Sequence, residues 1–171
     1  MDSNFLKYLE QLELIAFFSG YPLIFSIVVS WAASKKSEGG FRKKAGSVLP
    51  FSYALVGTLF LGLQLRNLYP DYSLINIGQK IHLPYLKIWA LSSMFFWVPA
   101  LGKRVWICLL HSLIFFFLIL RDFYSQFAGL TTDRNILQND MKLYADSLLL
   151  NGAAFAIVAL ICYFFLKQRA K

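Results

Sequence analysis

Residues 84–120 read PYLKIWALSSMFFWVPALGKRVWICLLHSLIFFFLIL, and this stretch decides the fold. It is apolar over nearly its whole length, while the hydrocarbon core of a bilayer takes only about 20 helical residues. One helix through all of it would be far too long for a single crossing. Pro99 and Gly102 break it, and Gly102-Lys103-Arg104 supplies a short polar turn. The stretch therefore predicts two antiparallel spans, residues 84–101 and 105–120, joined by a tight hairpin. Lys87, one turn into the first of them, is placed to carry its ammonium outward on its alkyl stem.

Three further blocks of similar length lie outward from this pair. Residues 14–33, LIAFFSGYPLIFSIVVSWAA, hold Gly20 and Pro22, a source of kinking that neighbouring membrane helices accommodate. Residues 48–65, VLPFSYALVGTLFLGLQL, carry Pro50 in the first turn, where a missing N–H costs least. Residues 147–166, SLLLNGAAFAIVALICYFFL, form the last block. The expected fold is all-α, a polytopic transmembrane helical bundle of five spans making one integral membrane domain over residues 1–171. Ahead of the last span, Ile136, Leu137, Met141 and Tyr144 recur at amphipathic spacing behind Asp133, a helix-capping residue type. They predict a short interfacial helix. The stretch LYPDYSLINIGQKIHL, residues 68–83, is too apolar for a solvated loop and is expected at the membrane interface, with Tyr69, Tyr72 and Tyr85. The first 13 residues lack the basic start and cleavage site of a secretory signal, so the first block reads as a retained helix.

Composition supports this reading. Of 171 residues, 58% are hydrophobic and 15% charged, with a mean hydropathy of +0.56. Soluble domains run at about 45–50% and about 25%, and one soluble core of this size cannot absorb the excess. The net charge of +8 would suggest nucleic acid as a partner in a soluble chain. Here the basic residues cluster at the ends of apolar blocks, so membrane lipids are the expected partner and nucleic acid is not. Cys108 and Cys162 lie inside apolar blocks and read as small hydrophobes. Two cysteines and two histidines, scattered singly, give no metal-ligand spacing. No HExxH, GxSxG, P-loop or paired-cysteine redox motif is present. No catalytic residue, metal or cofactor is assigned.

Charge sets the expected orientation. With the N-terminus outside, the inner segments hold Lys35, Lys36, Arg42, Lys43, Lys44, Lys103, Arg104, Lys167, Arg169 and Lys171, ten of the 17 basic residues. Eight of the nine acids, all but Glu38, fall on the outer side. The positive-inside rule then gives N-out and C-in, which an odd number of spans requires, in a plasma (inner) membrane.

Two constellations are candidate sites. Gln64, Arg66 and Asn67 end the second span, Lys87 begins the third, Arg121 and Asp122 end the fourth, and Asp146 and Asn151 begin the fifth. An antiparallel bundle brings all of these to the outer end. They form either a cationic vestibule or a set of anchors and ion pairs, with Arg121 pairing to Asp122 or Asp146. The second is His111, in mid-span, which must hydrogen-bond or face a cavity. A bond to Ser92, Ser93 or Tyr53 is expected; the other histidine, His82, is badly placed for a shared haem. Asp133, Asp140 and Asp146 read as surface charges.

Small residues mark candidate seams: Ser19, Ser26 and Ala33; Gly57 and Gly62; Gly152, Ala156 and Ala159. The aromatic runs 95–97 and 115–117 suit helices facing lipid or an apolar partner. The expected function is a non-catalytic membrane subunit, either self-associating or part of a larger complex. The alternatives are an oligomeric channel or transporter for a small anion or lipid headgroup and, further off, a lipid-modifying membrane enzyme.

Overall fold

The computed structural model describes residues 3–33, 40–69, 83–129 and 134–169. The helices are α1 (Ser3–Phe18), α2 (Tyr21–Ala33), α3 (Gly40–Leu68), α4 (Pro84–Ser92), α5 (Pro99–Gly102), α6 (Val105–Phe127) and α7 (Arg134–Arg169), with a 3-10 segment, Ser93–Trp97, between α4 and α5. Every described element is helical. Among the described residues four helical stretches, not five, are long and apolar enough to cross a membrane: Lys7–Ala33, Ala45–Leu68, Val105–Phe127 and Asn139–Phe165.

The missing fifth is the span expected over residues 84–101. Its α-helix stops after 9 residues. The serines at its end account for this. Ser92 Oγ donates to the Trp89 carbonyl at 2.6 Å and Ser93 Oγ to the Ala90 carbonyl at 2.6 Å. Such back-bonding competes with the helical ladder, and the Ser93 N–H has already moved to the Ala90 carbonyl in the tighter i−3 pattern. Val98 is then extended, with ψ of 123° ahead of Pro99, as the residue before proline prefers.

The broken segment still runs antiparallel to α3, along its residues 51–58. Ser93 sits against Gly57, where an added Cβ would meet the Ser93 hydroxyl. Phe96 packs on Tyr53 with ring centroids 5.7 Å apart, and Trp97 reaches Phe51 and Thr58. So the chain reaches the far end of the bundle without a fifth long helix, and the start of α1 and the end of α7 lie at opposite ends. Glu13 of α1 meets Gln64 near the end of α3, while Val158 of α7 packs on Val48 near its start.

Two other expectations change. Among the described residues no separate interfacial helix precedes the last span: residues 134–146 are the first turns of a 36-residue α7. The first spanning stretch starts at Lys7 rather than residue 14 because the acidic N-terminal residues continue the helix. Asp133, Tyr72, His82 and the paired lysines 35 and 36 lie outside the described residues. Tyr69 and Tyr85 are exposed.

The core is aromatic. Phe18 stacks on Phe115 at 4.8 Å and meets Tyr53 and Phe60 edge-on, and all four are fully buried. The aromatic runs divide between inside and outside. Phe115 and Phe96 turn inward, whereas Phe117, Phe95 and Trp97 are exposed. The expected small-residue seams form only in part. Ser19 and Gly57 are buried at contacts, but Ser26, Ala33, Gly62 and Ala156 are exposed.

Candidate functional site

Three polar residues of α1, Glu10, Gln11 and Glu13, precede its apolar stretch, and they face three different neighbours. Glu10 is 7% exposed and holds Lys87 at 3.1 Å, itself 8% exposed. Its other oxygen accepts the Leu83 N–H at 2.7 Å. One carboxylate therefore neutralises a buried ammonium and takes up a free backbone donor at the start of α4. Gln11 closes a ring with α6. Its amide nitrogen donates to Asp122 Oδ2 at 2.6 Å, and its amide oxygen accepts from Arg121 Nη2 at 3.0 Å. Arg121 bonds Asp122 Oδ1 at 3.1 Å, which completes the ring. Glu13 accepts from Gln64 at 3.2 Å.

Of the eight outer-end candidates, Gln64, Lys87, Arg121 and Asp122 are thus brought together, around α1. Arg66 and Asn67 are exposed at the end of α3 and Asp146 is exposed on α7; no hydrogen bond joins these three to the cluster among the described residues. Asn151 lies deeper, at the junction of α1 and α2. Three participants, Glu10, Gln11 and Glu13, stand outside the set the sequence suggested. Their signal was present, as three polar side chains directly before an apolar block on the acidic side of the chain.

Below this layer the polar groups mend broken backbone. Pro22 has no N–H, so the ladder opens at Ser19–Gly20. Helix α7 closes the opening: Asn151 Nδ2 donates to the Phe17 carbonyl at 2.9 Å, and the Gly20 N–H donates to Ser147 Oγ at 2.9 Å. The approach is close enough to require glycine. A Cβ on Gly20 would lie 2.7 Å from the α7 backbone at Ser147 and Leu148.

His111 plays the corresponding part at the end of α4. Its Nε2 lies 2.9 Å from the Trp89 carbonyl and 2.9 Å from Ser92 Oγ, and its Nδ1 lies 2.7 Å from the Tyr53 hydroxyl. A carbonyl only accepts, so Nε2 carries the hydrogen and Tyr53 donates to Nδ1; this tautomer is assigned from the partners. The imidazole is then neutral with both nitrogens engaged. The Trp89 ring stacks on it at 4.7 Å and 8°, and the Trp89 indole N–H donates to the His111 carbonyl at 3.2 Å. The hydrogen bond expected of His111 forms, to two of the three partners named for it.

Comparisons with protein-family models, curated proteins and solved structures find no match to this chain. The fold itself is plain: a small, multi-pass, all-α bundle whose long apolar helices contact lipid.

Chemically, the arrangement binds helices to one another. Lys87 and Arg121 each hold a carboxylate, and His111 is saturated by hydrogen bonds. Among the described residues no three His, Cys, Asp or Glu side chains gather as metal ligands. Three buried acceptors depart from this pattern: Asn151 Oδ1, and two that fall on one hydrogen-bonded pair. Asp140 on α7, 2% exposed, accepts from Gln126 Nε2 at 2.7 Å, while Asp140 Oδ1 and Gln126 Oε1 are buried without any hydrogen-bond partner.

Proposed function

We propose that the chain is a non-catalytic integral membrane subunit, self-associating or assembled with another membrane protein. It would be inserted N-out and C-in in a plasma (inner) membrane. The observation that carries this reading is the internal pairing of its polar groups. Lys87 is held by Glu10, and Arg121 by Asp122 and Gln11, so two of the three outer-end cations an anion pathway would use, all but Arg66, are already neutralised. Their energy goes into joining α1 to α4 and α6. The outward surface of α6 and α7, with Leu110, Phe117, Ile157 and Leu160, is exposed and apolar, as suits contact with lipid or another span.

The test is extraction of the tagged full chain from its native membrane into polymer-bounded bilayer discs, followed by native mass spectrometry. A reproducible homo-oligomer, or a stoichiometric protein associate, is the expected result. A lone monomer in every preparation would overturn the reading. Anion flux in liposomes that disappears with Arg121→Ala would replace it with transport.

A further inference from the structure

Asp140 and Gln126 stand apart because two unpartnered buried acceptors fall on one hydrogen-bonded pair. Asp140 lies near the acidic end of the bundle, two turns into α7, facing α6. No basic side chain forms an ion pair with it among the described residues. The groups that act on it electrostatically from the packed helices are Asp122 on α6, which is negative, and Tyr8 on α1. On its own helix Lys142 and Asp146 are exposed.

An ionised carboxylate in this place would be buried, beside a second carboxylate, with a single neutral donor. Such a charge costs several kcal/mol or is removed by taking up a proton. It would also leave Asp140 Oδ1 and Gln126 Oε1, two acceptors, with nothing to accept. One hydrogen resolves both deficits. A carboxylic acid is a donor as well as an acceptor, so a proton on Oδ1 gives Gln126 Oε1 its donor while Gln126 Nε2 keeps its bond to Oδ2. The result is an eight-membered ring of acid and carboxamide, neutral and fully hydrogen-bonded.

We infer that Asp140 and Gln126 form a proton-binding site, in which the acid is held neutral by its pairing with the carboxamide and clasps α6 to α7. Neither residue shares a hydrogen bond with Lys87 or Arg121 among the described residues, and the link to the ion-paired cluster is the electrostatic one from Asp122.

Infrared difference spectroscopy on the full chain in lipid discs at neutral pH tests this directly. The wild type is expected to show a protonated carboxylic C=O band that shifts in heavy water. Asp140→Asn is expected to abolish that band while keeping the fold, because an amide–amide ring replaces the acid–amide ring. Gln126→Met is expected to retain the band but move it to higher frequency, as the acid loses its partner. Absence of the band in the wild type, or its persistence in Asp140→Asn, overturns the inference. So does a band that appears only when sodium is withdrawn, since the two oxygens would then hold a cation instead.

Discussion

Two interrupted helices stand side by side in the bundle, and they are repaired differently. Between α1 and α2 the break lies at Ser19–Gly20, and the two halves still form one 27-residue spanning stretch, Lys7–Ala33. Between α4 and α5 the chain passes through 3-10 and extended backbone, and no spanning helix results. In the first case the cause is a single missing donor, and a neighbouring helix supplies replacements through Ser147 and Asn151. In the second the helix loses its pattern over several residues, and His111, Ser92 and Tyr53 secure only its beginning. In both, a backbone group released inside the membrane is matched by a side chain from elsewhere. The polar residues most readily taken for a site, His111 and Asn151, are engaged in that repair.

The most severe way to break the first joint is steric. In Gly20→Val the new side chain meets backbone of α7 rather than a movable side chain, so the helices must separate. A loss of about 3 kcal/mol is expected, the upper end for overpacking, read from the midpoint of unfolding by SDS in mixed micelles. Gly62→Val is the control: Gly62 is exposed with nothing within 4 Å, and a change within about 0.5 kcal/mol is expected. Equal losses in the two variants would show that α7 does not close the kink.

His111→Leu is the matching test of the second joint. It removes the donor to Trp89 and strands the fully buried Tyr53 hydroxyl. A loss of about 2–3 kcal/mol is expected, since an unsatisfied buried group costs about 1–3 kcal/mol. Pairing the change with Tyr53→Phe removes the stranded hydroxyl, so the double variant is expected to lose less than the sum of the single ones. Strict additivity would separate Tyr53 from the joint.

The two joints were not equally legible. Gly20 and Pro22 announce a kink because proline lacks a donor wherever it stands. Ser92 and Ser93 announce nothing, since serine is tolerated in helices and only its rotamer decides whether it bonds back to the chain. The same distinction runs through the rest of the molecule. Apolar blocks long enough to span were readable from length and hydropathy alone. Residues 134–146 read as a separate surface helix because their polarity interrupts the apolar run, yet polarity does not interrupt a helix, and α7 continues through them. Arg121 and Asp122 are adjacent in sequence, so their pairing was open to view. Glu10 and Lys87 are far apart in sequence, and only the antiparallel placement of α1 beside α4 makes them partners. Asp140 looked like a surface charge, and its burial follows from the packing of α6 against α7, which no local pattern encodes.

A milder variant separates the hydrogen bonds of the first joint from its steric fit. Asn151→Leu leaves the Phe17 carbonyl without its donor from α7. It also removes Asn151 Oδ1, a buried acceptor with no partner of its own, and that gain offsets part of the loss. The net cost expected is about 1–2 kcal/mol, smaller than for His111→Leu, where no unsatisfied atom is removed. If Asn151→Leu proves more damaging than Gly20→Val, the kink depends on that amide more than on the glycine contact.

The smallest effect is expected from removing the cause of the kink. Pro22→Ala restores an N–H one turn after the Phe18 carbonyl and so permits a continuous helix through residues 15–26. Straightening, however, would withdraw the Gly20 N–H from Ser147 and the Phe17 carbonyl from Asn151, both already satisfied where they are. It would also move Gly20 off the α7 backbone it touches. The new hydrogen bond is worth about 1 kcal/mol net, no more than the bonds it would replace. The variant should therefore keep the kink and change stability by less than about 1 kcal/mol. Distances between spin labels placed on the exposed residues Leu9 and Ile27 would read the angle directly. An unchanged distance means that α7 holds the bend; a lengthened one means that proline alone imposes it and that Ser147 and Asn151 merely follow.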